Sequence, residues 1–278
     1  MADTFEARRQ DKTSQQLVEN LRMLVAAHIR SPYIPAQYEV QRAFQNPTTA
    51  GIAYQSKNGL ARVVDRTAQQ LLSLHGLKPS DLSGHLDTLA RPHIVDHGAG
   101  KSNFLSVITK GMKKPCQRTA VELHEKYSKW QSDMGNETMF SLAGVHTNSV
   151  SIFHEGWGPL FWPSDPFDVE QTPKEVKRVL AVGGYALISG VAGVSYLQWC
   201  EDLLAQRGLS KSSHLSLPRS RQGAGNLYTY HLQMLSVGAL VLDENYSVTA
   251  QRVHGMSRSG NMEPQHQLPN ALWLQRVR

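Results

Sequence analysis

The sequence predicts an α/β protein built on a parallel sheet, because strand and helix patterns alternate along three of its segments. Residues 91–108 predict a buried strand, a glycine turn and the start of an amphipathic helix. Residues 117–130 predict a second strand that ends in an acid and continues into helical spacing. Residues 173–190 predict a helix that ends at a Gly-Gly pair and is followed by a hydrophobic strand.

The glycine turn of the first segment is the most informative feature of the chain. A short strand ending in Asp96 leads into Gly98 and Gly100, which can adopt backbone angles closed to other residues and let a ligand approach the main chain. A phosphate loop of the G-x-x-x-x-G-K-[ST] type is an alternative, but Val95 occupies the position of its first glycine. A strand, turn and helix without any ligand is the remaining interpretation.

A second acid follows the second predicted strand. Glu122 comes 26 residues after Asp96. Rossmann folds place a carboxylate about 20 residues beyond the glycine turn, where it accepts hydrogen bonds from ribose hydroxyls. A solvated glutamate at a helix start, favoured by the helix dipole, is the alternative.

The remaining elements are assigned from local patterns. Residues 139–143 and 149–153 compete for the third strand, and the alternation of apolar residues favours the second segment. Thr172 is the predicted N-cap of the next helix and Pro173 its first residue. Residues 238–250 predict a hairpin near the C-terminus.

Taken together, these features resemble the class I S-adenosylmethionine-dependent methyltransferases. The first motif of that family is acid-x-Gly-x-Gly-x-Gly, and Ser102 stands here where the third glycine is usual. The resemblance implies a Rossmann-like seven-stranded sheet, with S-adenosylmethionine as the cofactor. The cofactor contacts that it implies are Asp96, His97, Gly98, Ala99, Gly100, Ser102 and Glu122.

A second resemblance concerns the methyl acceptor. Ser164-Asp165-Pro166-Phe167 is similar to a degenerate form of the [Asp/Asn/Ser]-Pro-Pro-[Tyr/Phe/Trp] motif of amino-methyltransferases. It implies that polar groups at this motif accept hydrogen bonds from the target amine while the aromatic ring stacks on a planar substrate. A proline-rich turn at a strand end is the alternative. The predicted catalytic residues are Ser164, Asp165, Phe167 and His154.

Transfer of a methyl group from a sulfonium depends mainly on in-line positioning, so a general base is optional. If the acceptor is a hydroxyl, Asp165, His154 or Glu155 could take its proton.

The chain carries an excess of positive charge, with 29 Lys and Arg against 23 Asp and Glu, a net charge of +6 and a pI near 9.3. This balance favours an anionic partner, and we expect phosphate contacts with RNA or DNA. A solvated basic surface is the alternative. The basic residues fall into three clusters: Lys110, Lys113 and Lys114; Arg207, Lys211, Arg219 and Arg221; Arg252, Arg258, Arg276 and Arg278.

Other classes of protein are disfavoured by composition. Two cysteines give no disulfide framework and predict no metal site. The chain has no run of about 18 apolar residues, and its polar start is unlike a secretory signal. We therefore expect a cytoplasmic protein without membrane contact.

The predicted organisation has two parts. Residues 1–92 form a helical N-terminal extension, and residues 93–278 form the methyltransferase domain that the resemblance implies. In the family, such an extension covers the cofactor, binds substrate or forms a dimer; the sequence leaves these roles and the oligomeric state open. The favoured function is methylation of RNA or DNA. The alternatives are a small-molecule methyltransferase, a non-catalytic protein that keeps the fold, and a phosphate-loop NTPase.

Overall fold

The structure is a computed structural model, and it describes residues 1–30, 68–123, 125–156, 160, 166–189, 224–252, 268–269 and 271–278. Its α-helices are α1 Ala2–Gln10, α2 Lys12–Arg30, α3 Ala68–Ser73, α4 Pro79–Asp87, α5 Phe104–Thr109, α6 Glu125–Asp133, α7 Pro166–Val179 and α8 Ala224–Val241. Its strands are β1 His93–His97, β2 Gln117–Val121, β3 Glu137–Met139, β4 Val150–Glu155, β5 Leu180–Ser189, β6 Tyr246–Gln251 and β7 Ala271–Arg276.

The strands form one seven-stranded sheet in the order β3-β2-β1-β4-β5-β7-β6. The pairs among β1 to β5 are parallel, whereas β7 runs antiparallel to both of its neighbours. The prediction of a seven-stranded α/β sheet is confirmed. On one side of β1 lie β2 and then β3, and on its other side lie β4 and then β5. The order therefore reverses between β1 and β4, which is where open α/β sheets bind ligands at the carboxyl ends of their strands.

Helices cover both faces of the sheet. One core cluster joins the strands to α2, α7 and α8, and the other joins them to α1, α3, α4 and α5. All five residues of β1 and all six of β4 are buried. A strand covered on both faces is apolar along most of its length, so the polar residues that these two strands contain need partners inside the protein.

The N-terminal helices pack directly against the sheet. Phe5 of α1 lies 5.4 Å from the ring of Tyr185 and 6.0 Å from that of Trp273, measured between ring centroids. On the outer edge of the sheet, the Ser14 hydroxyl of α2 accepts the backbone N–H of Ala250 in β6 at 3.0 Å. The described part of residues 1–92 is mainly helical, and its separation from the rest as an extension stays a prediction.

Two predicted boundaries were wrong. Helix α7 begins at Pro166, so Pro173 lies inside the helix and not at its start. The Gly183-Gly184 pair lies within β5, where the register with β4 shifts, and not at a helix end. A Cβ atom at Gly184 would lie 2.9 Å from the backbone oxygen of Val150. The glycine pair thus permits a bulge at which the two strand backbones come close together.

The third strand and the hairpin were also only partly predicted. Residues 150–155 are a strand, but the fourth along the chain, because the short β3 precedes it. The first arm of the predicted hairpin over residues 238–250 begins as helix, since α8 continues to Val241. Strand β6 instead pairs antiparallel with β7, which begins twenty residues after the last residue of β6 (251 to 271).

The packing of α8 on α2 leads to a test of the core. Gly238 lies so close to Val25 that a Cβ atom there would overlap the Cγ1 atom of that side chain. We expect Gly238→Ala to lower the free energy of unfolding by about 1–3 kcal/mol, measured by urea denaturation. The matched control is Gly84→Ala in α4, where no atom lies within 4 Å and alanine should stabilise by up to about 1 kcal/mol. Equal midpoints for the two variants would contradict this packing.

Candidate functional site

The turn after β1 has the geometry that its glycines predict. Gly98 has a φ of 71° and Gly100 a φ of 52°, and both values lie in the left-handed region that favours glycine. The N–H of Gly98 donates to the carbonyl oxygen of Val121 at 2.9 Å, which ties the turn to the end of β2. Ser102 accepts the N–H of Phe104 at 3.0 Å through its hydroxyl. The serine at the third-glycine position therefore satisfies a backbone donor at the start of α5.

Buried side chains that follow β2 or belong to α6 and the segment after it also hold the turn. The Glu122 carboxylate accepts the N–H of Gly100 at 2.8 Å and is 5% exposed. Gln131 is also buried, and its amide donates to the carbonyl oxygens of Gly100 and Ser102 at 2.9 Å each. Asn136 in turn donates to the amide oxygen of Gln131 at 2.7 Å. Buried side chains thus bind both kinds of backbone group in the turn, an N–H donor and carbonyl acceptors.

A buried pair joins β1 to β4 on the α5 face of the sheet. Nδ1 of His154 and Oδ1 of Asp96 are 2.7 Å apart, and the two residues are directly opposite in the strand register. The His154 ring stacks on Phe104 with centroids 4.0 Å apart. Within the described part of the chain, Nε2 of His154 and Oδ2 of Asp96 have no hydrogen-bond partner. The carboxylate fixes the ring by accepting the Nδ1 proton.

A second buried pair joins the same strands on the opposite face, because neighbouring residues of a strand point to opposite sides. Nδ1 of His97 and Oε2 of Glu155 are 2.7 Å apart. The other carboxylate oxygen of Glu155 accepts the N–H of Leu160 at 2.6 Å. Glu155 therefore connects the residue before the glycine turn to the segment that follows β4.

His75 is a third buried histidine, and it interacts electrostatically with His154 of the first pair. Neither of its ring nitrogens has a hydrogen-bond partner among the described residues. Burial holds the pKa of His75 well below its usual value, and electrostatic interactions with His154 and Arg8 act in the same direction. The ring is therefore neutral at physiological pH.

The structure brings the predicted cofactor residues together and leaves the predicted catalytic set incomplete. Asp96 to Ser102 form the turn, and Glu122 contacts it. Ser164 and Asp165 lie outside the described residues, and Phe167 belongs to α7, but its side chain is not among the described parts. His154 is 1% exposed, and its role as a base stays a prediction.

Sequence reasoning missed the contacts that Gln131 and Glu155 make in this site. Gln131 gave no signal, because a glutamine on a helix usually faces water. Glu155 was predicted only as a possible base, whereas the structure gives it a bridging position between two segments. The sequence did contain a sign of the role of Glu155, because a polar residue inside a fully buried strand needs a partner within the protein.

Comparison with known proteins gives matches in structure alone: no protein-family model and no curated protein sequence matches the chain. The plantazolicin methyltransferase BpumL, in complex with a monoazolic desmethylPZN analogue and SAH, is 14% identical with a TM-score of 0.45, over 87% of this chain and 99% of that one. A SAM-dependent methyltransferase from Thermotoga maritima is 14% identical with a TM-score of 0.40, over 82% and 99%.

The fold follows from the sheet itself. Seven strands in the order found here, with one antiparallel strand next to the edge, form the class I methyltransferase fold.

Two further findings concern the described residues. Among them, no group of three or more His, Cys, Asp or Glu side chains is placed to hold a metal ion. None of the helices within the described ranges is long and apolar enough to cross a membrane.

The Glu155 bridge leads to a stability test. Glu155→Ala leaves the buried N–H groups of His97 and Leu160 without an acceptor, so we expect a loss of about 3–5 kcal/mol in the free energy of unfolding. Glu155→Gln should lose less than half of that. Its amide oxygen can accept from Leu160, and its amide N–H can donate to Nδ1 of His97 if the ring adopts its other tautomer.

The control for this test is Glu170→Ala. Glu170 pairs with Lys174 at 3.4 Å on an exposed part of α7, and its loss should change stability by no more than about 1 kcal/mol. Urea denaturation gives the energies, and nitrogen NMR of the His97 ring reports the tautomer. Equal losses for Glu155→Ala and Glu170→Ala would show that the bridge contributes nothing.

Proposed function

We propose that the protein is an S-adenosylmethionine-dependent methyltransferase that binds its cofactor over the turn after β1. The observation that carries this proposal is the turn itself. Two glycines with positive φ expose the main chain at the switch point of a class I methyltransferase sheet, and a buried carboxylate stands beside them.

The residues of the turn fit this cofactor. Gly98 and Gly100 lack the Cβ atoms that would keep a ligand away from the backbone. A carboxylate offers about four acceptor positions, so Glu122 can keep its bond with Gly100 and also accept hydrogen bonds from ribose hydroxyls. Asp96 adds a negative charge near the turn, which suits a cofactor that carries an ammonium and a sulfonium group.

The bound cofactor would supply an activated methyl group, and the task of the protein is then to hold donor and acceptor in line. The donor site follows β1 and the predicted acceptor segment follows β4. Misplacement by about 1 Å can reduce such a reaction about 100-fold. The buried pairs of Asp96 with His154 and of His97 with Glu155 fix these two strands relative to each other. We assign them this positioning role.

Binding of the cofactor is the direct test. We expect calorimetry to detect binding of S-adenosylmethionine and S-adenosylhomocysteine to the parent protein. Gly98→Val should abolish it, because a β-branched side chain is strained at a φ of 71° and blocks the approach to the main chain. Glu122→Gln keeps an acceptor for Gly100 but removes the charge, and should weaken binding about tenfold.

Gly84→Ala is the folded control in this experiment, and ATP with magnesium is the ligand control. If the folded parent binds neither sulfur nucleoside, the chain is a non-catalytic protein with this fold. If it binds ATP instead, the phosphate-loop interpretation replaces the methyltransferase one.

We further propose nucleic acid as the acceptor. The net charge of +6 supports this substrate class, as does the resemblance of residues 164–167 to the motif of amino-methyltransferases. Strand β4, which precedes this segment in the chain, ends at the carboxyl edge of the sheet, where the glycine turn lies. A small-molecule methyltransferase is the competing proposal.

The basic residues do not contribute equally to this proposal. Lys113 and Lys114 precede β2, and Arg276 ends the antiparallel β7, so all three lie at the edge of the sheet opposite the turn. Arg276 also donates within the fold, to Asn148 at 2.6 Å among others. Arg252 follows β6 and lies at the carboxyl edge with the turn.

The salt dependence of binding tests the substrate class. We expect the affinity for a single-stranded RNA or DNA oligonucleotide to fall steeply with salt, with a slope of about −0.7 for each phosphate contact in a plot of log affinity against log salt. The variant that combines Lys113→Gln with Lys114→Gln should keep the parent's slope, because these lysines lie at the opposite edge. A flat slope in the parent would favour the small-molecule substrate.

A further inference from the structure

A groove lies where the junction between α1 and α2 meets the end of β6. It has a volume of about 220 Å³. Strand β6 runs in the same direction as β1, so the groove is at the same edge of the sheet as the glycine turn. We call it the α1–β6 groove. Its polar lining consists of Arg8, Asp11, Thr13, Ser14, Gln251 and Arg252.

Arg8 carries a positive charge into this groove. Its Cζ atom lies 4.6 Å from the centre of the Trp273 ring, and its Nη2 donates to the carbonyl oxygen of Gly76 at 3.4 Å. Burial lowers the pKa of Arg8, and no carboxylate among the described residues forms an ion pair with it. A guanidinium has five N–H donors, and these two contacts leave several of them for an acceptor in the groove.

The acid that lines the groove is already engaged by the fold. Oδ2 of Asp11 accepts the N–H of Ser14 at 2.8 Å at the start of α2. The Ser14 hydroxyl accepts the N–H of Ala250, as described above, so both residues serve the structure. What remains for a ligand is the guanidinium of Arg8, the hydroxyl of Thr13 and the positive end of the long α2 helix.

We propose that the α1–β6 groove binds a phosphate group of a polynucleotide strand, held by Arg8 and Thr13 with Arg252 at the groove wall. The planar fork of an arginine matches the oxygens of a phosphate, and a neighbouring hydroxyl can donate to the same group. The volume also admits the sugar attached to that phosphate.

The position of the groove suits a strand that also reaches the turn. Four strand spacings separate β1 from β6 in the sheet order, which is about 19 Å at about 4.8 Å each. A strand covers that distance with about five or six nucleotides at about 3.4 Å each. The groove would thus hold the strand away from the reacting nucleotide, and its binding of phosphate is independent of the proposed methyl transfer.

The test is the affinity of a twelve-nucleotide single-stranded RNA at several salt concentrations, measured by fluorescence anisotropy. We expect Arg8→Gln to weaken binding about five- to tenfold at 100 mM salt and to make the salt slope shallower by about 0.7, the value for one lost phosphate contact. Arg8→Lys keeps the charge and should keep most of the slope. Calorimetry with S-adenosylmethionine on the same variants shows that the fold and the turn are intact.

Arg9→Gln is the matched control. Arg9 is on the same helix but pairs with Glu6 at 2.7 Å, with both side chains about half exposed. Its loss should leave the RNA affinity and the slope of the parent. If Arg8→Gln behaves like Arg9→Gln, the proposed phosphate contact is wrong.

A second arm separates a strand from a free phosphorylated molecule. Binding of inorganic pyrophosphate is measured in the absence of RNA. Suppose that Arg8→Gln no longer binds pyrophosphate, that the other variants still do, and that the salt slope of Arg8→Gln for RNA equals that of the parent. The ligand of the groove is then a free phosphorylated molecule and not a polynucleotide. If the Arg8 effect on RNA is found but no protein binds S-adenosylmethionine, the proposed function fails and the groove proposal stands.

Discussion

Two buried pairs join β1 to β4, each through a contact of 2.7 Å. One pair, Asp96 with His154, lies on one face of the sheet, and the other, His97 with Glu155, lies on the opposite face. All four residues are at most 5% exposed. Burying such pairs gains little net stability, but removing one partner costs about 3–5 kcal/mol, because the other is left uncompensated. The pairs favour the register in which Asp96 lies opposite His154, because another register would leave these buried groups without partners. Since the glycine turn follows one strand and the segment with Leu160 follows the other, the geometry of the candidate site depends on that register.

Buried side chains also fix the glycine turn before any ligand binds. Glu122 and Gln131 hold the backbone of Gly100 through its N–H and its carbonyl oxygen, so little ordering is left for the moment of binding. A ligand that meets a fixed turn loses less conformational entropy in the complex. Buried side chains thus hold the backbone of the glycine turn in place from within the fold.

The features that the sequence predicted well are those with local causes. The strand and turn around Gly98 depend on a short apolar run and on backbone angles that only glycine adopts readily, and both are visible in the residues themselves. The predicted start of α7 was wrong. Proline is unfavourable in the interior of a helix, so Pro173 was assigned to the first helical position. Packing of α7 against the sheet overrides this preference. The Gly183-Gly184 bulge and the contacts of Gln131 depend on residues distant in sequence, which no local pattern encodes.

The contact between Ser14 and Ala250 joins residues 236 positions apart. On the ribosome, α2 is made long before the strand whose outer edge it covers. Chain growth at about 5–20 residues per second leaves roughly 12–47 s between them. Throughout that interval the apolar side of α2, with Leu17, Leu21 and Leu24, lacks its native partners in β6 and α8. Helix α2 must therefore wait for its partners during synthesis, and a cell would have to keep it from associating with other nascent chains until β6 has emerged.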